Sequence, residues 1–238
     1  KTQMYHVPLG TSVLEILEHV GVTENPYAVI VGGPMMGKIL KTKEEIRQAV
    51  VTKTTGNLLV LPKDHYLVKR TEIPRESMIH QAAAACIQCR MCTDMCPRFM
   101  LGHEVRPNMV MRNLWKASML TDDGEFENAF GSAVNCCSCG VCEMFACPMG
   151  LSPRKMNEYA KTLLRERGIN PQKNEHPEAR EEIQYRKIPT ERLIARLGLT
   201  PYVTHELPEE QELSVRECKI LLSQHIGKPA VAVVKTGE

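Results

Sequence analysis

Nine of the chain's ten cysteines fall between residues 86 and 147, and only Cys218 lies elsewhere. The chain opens Lys1-Thr2-Gln3-Met4 without an apolar signal segment, so a reducing compartment is expected and a disulfide framework is not. Cys86, Cys89, Cys92 and Cys96, followed by Pro97, form a C-x2-C-x2-C-x3-C-P run, the arrangement that wraps a [4Fe–4S] cube. Cys136, Cys139, Cys142 and Cys147, followed by Pro148, repeat it with one extra residue before the last cysteine. Three closely spaced thiolates in a tight loop reach three irons of one cube, while the fourth is projected elsewhere. In the two-cluster pattern that fourth thiolate binds the other cube. The expected ligand sets are therefore Cys86, Cys89, Cys92 and Cys147 for cluster 1, and Cys136, Cys139, Cys142 and Cys96 for cluster 2. Structural zinc is the alternative, because C-x2-C pairs also build tetrahedral sites, but two proline-closed runs of four are far more specific than a lone pair. Starting the second run at Cys137 would break the match to the first, so Cys137 is read as a non-ligand near the cluster, with replacement of Cys136 as the alternative. Cys218 lies in a strand-like run, 215–221, and is read as a buried or half-buried thiol.

Length and charge bound what surrounds these motifs. The 238 residues suffice for one or two domains with real cores, and 43% hydrophobic with 24% charged residues excludes disorder and collagen. The longest uncharged stretch, Met78 to Cys89, is about twelve residues and too polar to cross a bilayer, so no membrane span is expected. Thirty Lys and Arg against 28 Asp and Glu give a formal charge of +2, which offers no electrostatic footprint for nucleic acid. Each oxidised cube with four thiolates carries two negative charges, so two cubes shift that total to about −2. Arg90, Arg98, Arg106, Arg112 and Lys116 gather in sequence around the first run and are read mostly as solvated; the alternative is that they face a cluster, where they would raise its potential or receive an acidic partner. His80 and His103 are read as surface or hydrogen-bonded histidines, since the cysteines already fill both cubes.

Hydrophobic spacing predicts an α+β chain. Residues 1–65 read as a strand at 5–8, a helix at 12–20 opened by a Ser12–Glu15 capping box and closed by Gly21, and strands at 28–31 and 57–61. Gly32-Gly33-Pro34-Met35-Met36-Gly37 reads as a hairpin turn and not a phosphate cradle, because Lys38-Ile39-Leu40 continues as strand. From Pro74 the pattern turns helical, with helices predicted at 75–86, 107–119, 123–135 and 153–168 and the cysteines at or just after their ends. Roughly forty residues separate Cys96 from Cys136, too many for the short β-rich link of a compact ferredoxin. A helical two-cluster domain follows, with Asp122 and Asp123 as caps and Met109, Met111, Trp115 and Met119 as core filling. Residues 170–185 read as a polar connector, 189–192 as the start of a short capped helix, and the chain from about 213 as strands, including Ala230–Val234. Lys235–Glu238 looks like a turn with its next strand missing, which together with the absent initiator methionine suggests a fragment. The boundaries expected are 1–68, 69–186 and 187–238.

A Gly-Gly-Pro-Met-Met-Gly turn after a strand–helix–strand pattern, followed by two ferredoxin motifs, resembles the C subunit of the Rnf electron-transport complex and its relatives. A narrower likeness, to the cobalamin (corrin) reductases of propanediol-utilisation microcompartments, is carried by the stretches 89–98, 101–107 and 224–230. The resemblance implies a small β-grasp (SLBB-like) domain, then the bis-[4Fe–4S] domain, then the start of a barrel-sandwich-like β module. It covers essentially the whole chain but only the C-terminal half or so of such a reductase. The family's Rossmann-like part, which binds FMN and NADH, would precede residue 1.

The function this implies is the iron–sulfur part of a flavin-dependent NADH:corrinoid reductase. Electrons would pass from NADH and FMN through both clusters to cob(III)- or cob(II)alamin, in the cytoplasm and inside a bacterial microcompartment. Corrinoid-handling proteins, shell proteins or B12 enzymes are the partners implied. The same wiring could instead serve a ferredoxin, a membrane complex or the activating enzyme of a glycyl-radical system. A different class of reading is a docking module in which the clusters are structural. No general acid, base or nucleophile is expected.

Overall fold

Short apolar stretches separated by glycine-bearing turns favour sheet in the N-terminal part of the chain, and longer amphipathic stretches favour helix beyond it. The computed structural model describes residues 2–22, 26–204, 206, 208–215, 217–225 and 227–234. These gather into two compact units, one within Lys1–Lys69 and Thr200–Glu238, the other within Arg70–Leu199. The stretch 187–238 is thereby divided between the two.

The first unit contains β1 (Met4–His6), α1 (Val13–His19), β2 (Tyr27–Val31), β3 (Lys38–Leu40), α2 (Lys43–Gln48), β4 (Leu58–Pro62), α3 (Tyr66–Lys69) and β5 (Glu210–Glu212). β2 lies at the centre of an antiparallel sheet ordered β3-β2-β4, and its Ala28, Val29 and Ile30 are all buried, so both faces of the strand are covered. β1 pairs in parallel with β5, Met4 opposite Glu210. Val13, Leu17, Val29, Leu40 and Ile46 form one apolar cluster, and Ile16, Val51 and Leu213 another. The Gly32–Gly37 segment is the expected hairpin turn, with Val31 opposite Lys38. A Cβ on Gly37 would stand 2.6 Å from the Gly33 carbonyl oxygen, so the turn closes only on glycine there.

Three expectations for this unit change. Ser12 precedes α1 but its side chain makes no capping bond; Ser12 bridges Val50, and Val13 N–H donates to the Ala49 carbonyl. The capping box forms instead at α2, where the Thr42 hydroxyl accepts from Glu45 N–H and the Glu45 carboxylate accepts from Thr42 N–H at 2.9 Å. Among the described residues no strand follows β5: where strands are expected from 213 and at 230–234, only single backbone bonds form, Leu213 N–H to the His6 carbonyl, Lys219 N–H to the Gly10 carbonyl and Ala230 N–H to the Leu222 carbonyl, and Val231, Val233 and Val234 are exposed. Cys218 is exposed too, not half-buried. Residues 235–238, expected as a turn, lie outside the described residues.

The second unit is built on α4 (Arg75–Ala85), α5 (Met91–Asp94), α6 (Pro97–Met100), α7 (Pro107–Asn113), α8 (Asp123–Phe130), α9 (Pro153–Glu166) and α10 (Thr190–Arg196). Its core joins Val110, Met111, Leu114, Phe126, Phe130, Met156, Ala160 and Leu164, with the two phenylalanine rings 4.7 Å apart. Asp122 caps α8, its carboxylate accepting from Glu125 N–H. The helices expected at 107–119 and 123–135 both tighten into 3-10 turns, at Leu114–Met119 and Gly131–Asn135. The three-residue period of the first turn keeps Leu114 inside and carries Trp115 and Met119 to the surface, so of the four residues expected as core filling only Met111 is fully buried. Among the described residues no helix is long and apolar enough to cross a membrane.

Candidate iron–sulfur centre

Each cysteine run leaves a helical segment and re-enters another, and the backbone between is bent the same way twice. Gln88 and Arg90 have φ of 59° and 63°, and the equivalent positions of the second run, Ser138 and Gly140, have 57° and 84°. Left-handed residues are costly for side chains other than glycine, roughly 1–2 kcal/mol each. The two loops thus hold left-handed residues at the same two places, on either side of their second cysteine. Cys86 caps the end of α4, Cys92 lies within α5, and Cys96 precedes Pro97, the first residue of α6. In the second run Cys142–Ala146 forms a π-helical turn, with Cys147 immediately after it. An i→i+5 turn holds one residue more than an α turn, and it absorbs the extra residue of this run.

The thiols sort by the charges they feel. Burial, then the neighbouring Cys86, Cys147 and Cys89, push the Cys92 thiol up from an ordinary 9.0 to about 12. Cys147 belongs to the second run yet stands among the thiols of the first. Cys96 shows the converse: burial raises its thiol most, and the charges opposing its ionisation come from Cys136 and Cys137. The Cys139 thiol is pushed up to about 11 by burial, with Cys137 and Cys96 adding to it. Cys142 is raised strongly by burial, then by Glu143, Cys136, Cys92 and Cys96. Cys137 is exposed and its side chain touches Cys139.

The surroundings suit an anionic group. Backbone N–H groups of Phe99 and Arg98 donate to Cys96, that of Val141 to Cys139, that of Ser138 to Cys136 at 3.4 Å and that of Leu151 to Cys147 at 3.4 Å. Such donors stabilise thiolate and cluster charge. A cube asks for four thiolates, one on each iron. The eight thiols and the N–H groups that donate to them fit [4Fe–4S] clusters.

Two of the arginines gathered around the first run pair with side chains at the surface, and the two histidines are hydrogen-bonded or exposed, as expected from the sequence. Arg90 pairs with Asp94, Arg106 with Glu104, and Arg98 reaches the His103 ring, while His80 is exposed. Charges nearer the thiols come from α9 and α10. Lys161 donates to the Cys136 carbonyl, Arg196 donates to the carbonyls of Met144 and Cys147, and Arg154 pairs with Glu143 at 2.9 Å. Arg154 and Lys161 stand seven residues apart and so share one face of α9, a spacing legible in the sequence. Glu143, 2% exposed, is the acid in an otherwise apolar turn, and Arg70 is buried beside it with no comparable sequence signal.

Residues 85–152 match the family model of the 4Fe-4S dicluster domain. Over 237 residues the chain is 40% identical to "Cobalamin reductase PduS" of Salmonella typhimurium, covering 98% of this chain and 49% of that protein. The PduS of Citrobacter freundii is 38% identical over 234 residues, again 98% of this chain and 49% of the relative. A more distant relative is the C subunit of the ion-translocating oxidoreductase complex of Actinobacillus succinogenes, 37% identical over 100 residues, 42% of this chain and 12% of that protein. The chain spans about half the length of the cobalamin reductases it matches. No solved structure matches it.

Proposed function

The chain is a relative of the PduS cobalamin reductases that carries a 4Fe-4S dicluster domain, and on that basis we propose that it is the iron–sulfur electron-transfer part of a flavin-dependent NADH:corrinoid reductase. Cys86, Cys89, Cys92 and Cys147 hold cluster 1, and Cys136, Cys139, Cys142 and Cys96 hold cluster 2. The observation that supports this reading is that the last cysteine of each run acts on a thiol of the other, Cys147 on Cys92 and Cys96 on Cys139. When bound, [4Fe–4S] cubes supply electron transfer, and the chain's task is to position and tune them. In the second loop the Ser138 and Val141 N–H groups donate to the Cys136 and Cys139 sulfurs. Buried Cys96, Cys142 and Cys147 keep water from one side of each set, while Cys89 is exposed. The unit containing β1–β5 is read as an SLBB-like β-grasp. The reductant is NADH through FMN, the acceptor is a cobalamin, and a bacterial microcompartment is the proposed location.

A second reading, favoured by the partial match to the ion-translocating oxidoreductase relative, gives the electrons to a ferredoxin, a membrane complex or a glycyl-radical activating enzyme. The test uses the chain itself, reconstituted anaerobically, reduced with dithionite and desalted. Mixed with cob(III)alamin, the reduced protein should regain its cluster absorbance as cob(II)alamin appears, and a Cys89→Ser variant should react far more slowly. Slow cobalamin reduction beside fast transfer to a ferredoxin would overturn the corrinoid assignment in favour of the second reading.

A further inference from the structure

The π turn Cys142–Ala146 opens on Cys142 and delivers Cys147 immediately after its end, so in the proposed ligand sets one turn supplies a thiolate to each cluster. Between those two cysteines stands Glu143, whose side chain is 1% exposed. Its Oε1 accepts from Arg154 Nε at 2.9 Å, and its Oε2, which accepts no hydrogen bond, lies 4.0 Å from Arg70 Nη2. Arg70 is itself tied to the chain after Cys147: it donates to the carbonyls of Gly150 and Leu151 and to Ser152 Oγ at 3.1 Å. Arg196 holds the same turn through the Met144 and Cys147 carbonyls. Burying a carboxylate without partners is costly, and this one has two guanidiniums facing it. The triad carries two positive charges and one negative, and the negative one acts directly on Cys142.

We propose that Glu143, clamped by Arg154 and Arg70, is a positioning residue that fixes the turn shared by the two clusters and sets their reduction potentials together. The inference rests on the dicluster reading of the preceding subsection. A fixed negative charge beside a cluster disfavours its reduced, more negative state, so the carboxylate holds both potentials down.

Charge and shape separate in two variants. Glu143→Gln keeps the size and contacts but removes the charge, whereas Glu143→Asp keeps the charge and shortens the reach. The readout is an EPR-monitored redox titration of the reconstituted protein, with iron content measured in parallel. Glu143→Gln should retain its iron and shift both midpoint potentials upward, the cluster ligated by Cys142 more than the other. Glu143→Asp should leave both potentials near those of the unaltered chain. Unmoved potentials in Glu143→Gln, or an equal shift in Glu143→Asp, would overturn the proposal. Should Glu143→Gln lose its iron, Arg154→Lys and Arg154→Met carry the test: a fall in both potentials in Met but not in Lys supports it, and any other pattern, loss of iron included, overturns it. An unaltered chain that binds no iron would instead overturn the dicluster reading, a failure distinguishable from potentials that do not move.

Discussion

Cys147 is encoded in one cysteine run and opposes the ionisation of a thiol in the other, and Cys96 mirrors it. Replacing either should therefore remove the cluster of the opposite run. In Cys147→Ser the iron content should fall by half, and the surviving EPR signal should be the one lost in Cys139→Ser; survival of the signal that depends on Cys89 would refute the exchange. Burial also makes a prediction for the metal-free chain. Cys92 and Cys139 are pushed up to about 12 and about 11 from an ordinary 9.0, mainly because their thiolates are poorly solvated. Above that ordinary value the unfolded chain releases protons that the folded chain keeps. The unfolded state then binds fewer protons, so stability declines as pH rises from about 9 toward about 12. Melting temperatures of metal-free protein should fall steadily between pH about 8 and about 10.5, and a flat profile would contradict the burial of these thiols. The spacing of all eight proposed ligands was legible in the sequence, whereas the pairing of Glu143 with Arg154 and Arg70 was not, because the value of a buried charge depends on partners 11 and 73 positions away in the chain.

At the scale of elements, the two cysteine loops repeat a backbone path as well as a spacing. Gly140 occupies with φ 84° the place that Arg90 occupies with φ 63°. Gly140→Ala should cost about 1–2 kcal/mol in thermal unfolding of the metal-free chain, because an L side chain resists that conformation. A second element-level prediction concerns α2, whose first turn is held by the reciprocal Thr42–Glu45 bonds. Thr42→Ala should destabilise the chain by about 1 kcal/mol in urea unfolding, and no change would mean that the cap is satisfied by water. The T-x-x-E signature at 42–45 was present in the sequence as plainly as the Ser12–Glu15 pattern. Only the first forms a cap in the folded chain: the Ser12 side chain makes no capping bond, and Val13 N–H donates to the Ala49 carbonyl. Similarly, the switch from α to 3-10 at Leu114 is written in no single residue, yet it turns Trp115 outward, where its indole N–H donates to the Arg112 carbonyl.

For the molecule as a whole, all eight proposed ligands lie in the unit Arg70–Leu199, whose helices pack on Phe126 and Phe130. Phe126 is 1% exposed and carries the Arg167 guanidinium 3.8 Å above its ring. Phe126→Ala should lower the unfolding free energy of the metal-free chain by about 3–5 kcal/mol, read from urea unfolding, with a loss under about 1 kcal/mol excluding this cluster as the unit's core. The first unit draws β5 from a sequence distance of about two hundred residues to pair with β1, a long-range contact that no local pattern signals.

Spacing and local period, readable from the order of residues alone, account for two thiolate-bearing loops, the hairpin at Gly32–Gly37, and the helices α4 and α9. These depend on residues a few positions apart, whose geometry is set by bond lengths and allowed dihedrals. It took the folded chain to show which acid is buried between two arginines, which methionines and tryptophan face water, and which stretch near the C-terminus finds a strand to pair with. Those outcomes depend on partners brought together from distant parts of the chain, because burial, ion pairing and sheet pairing are energies between neighbours in space.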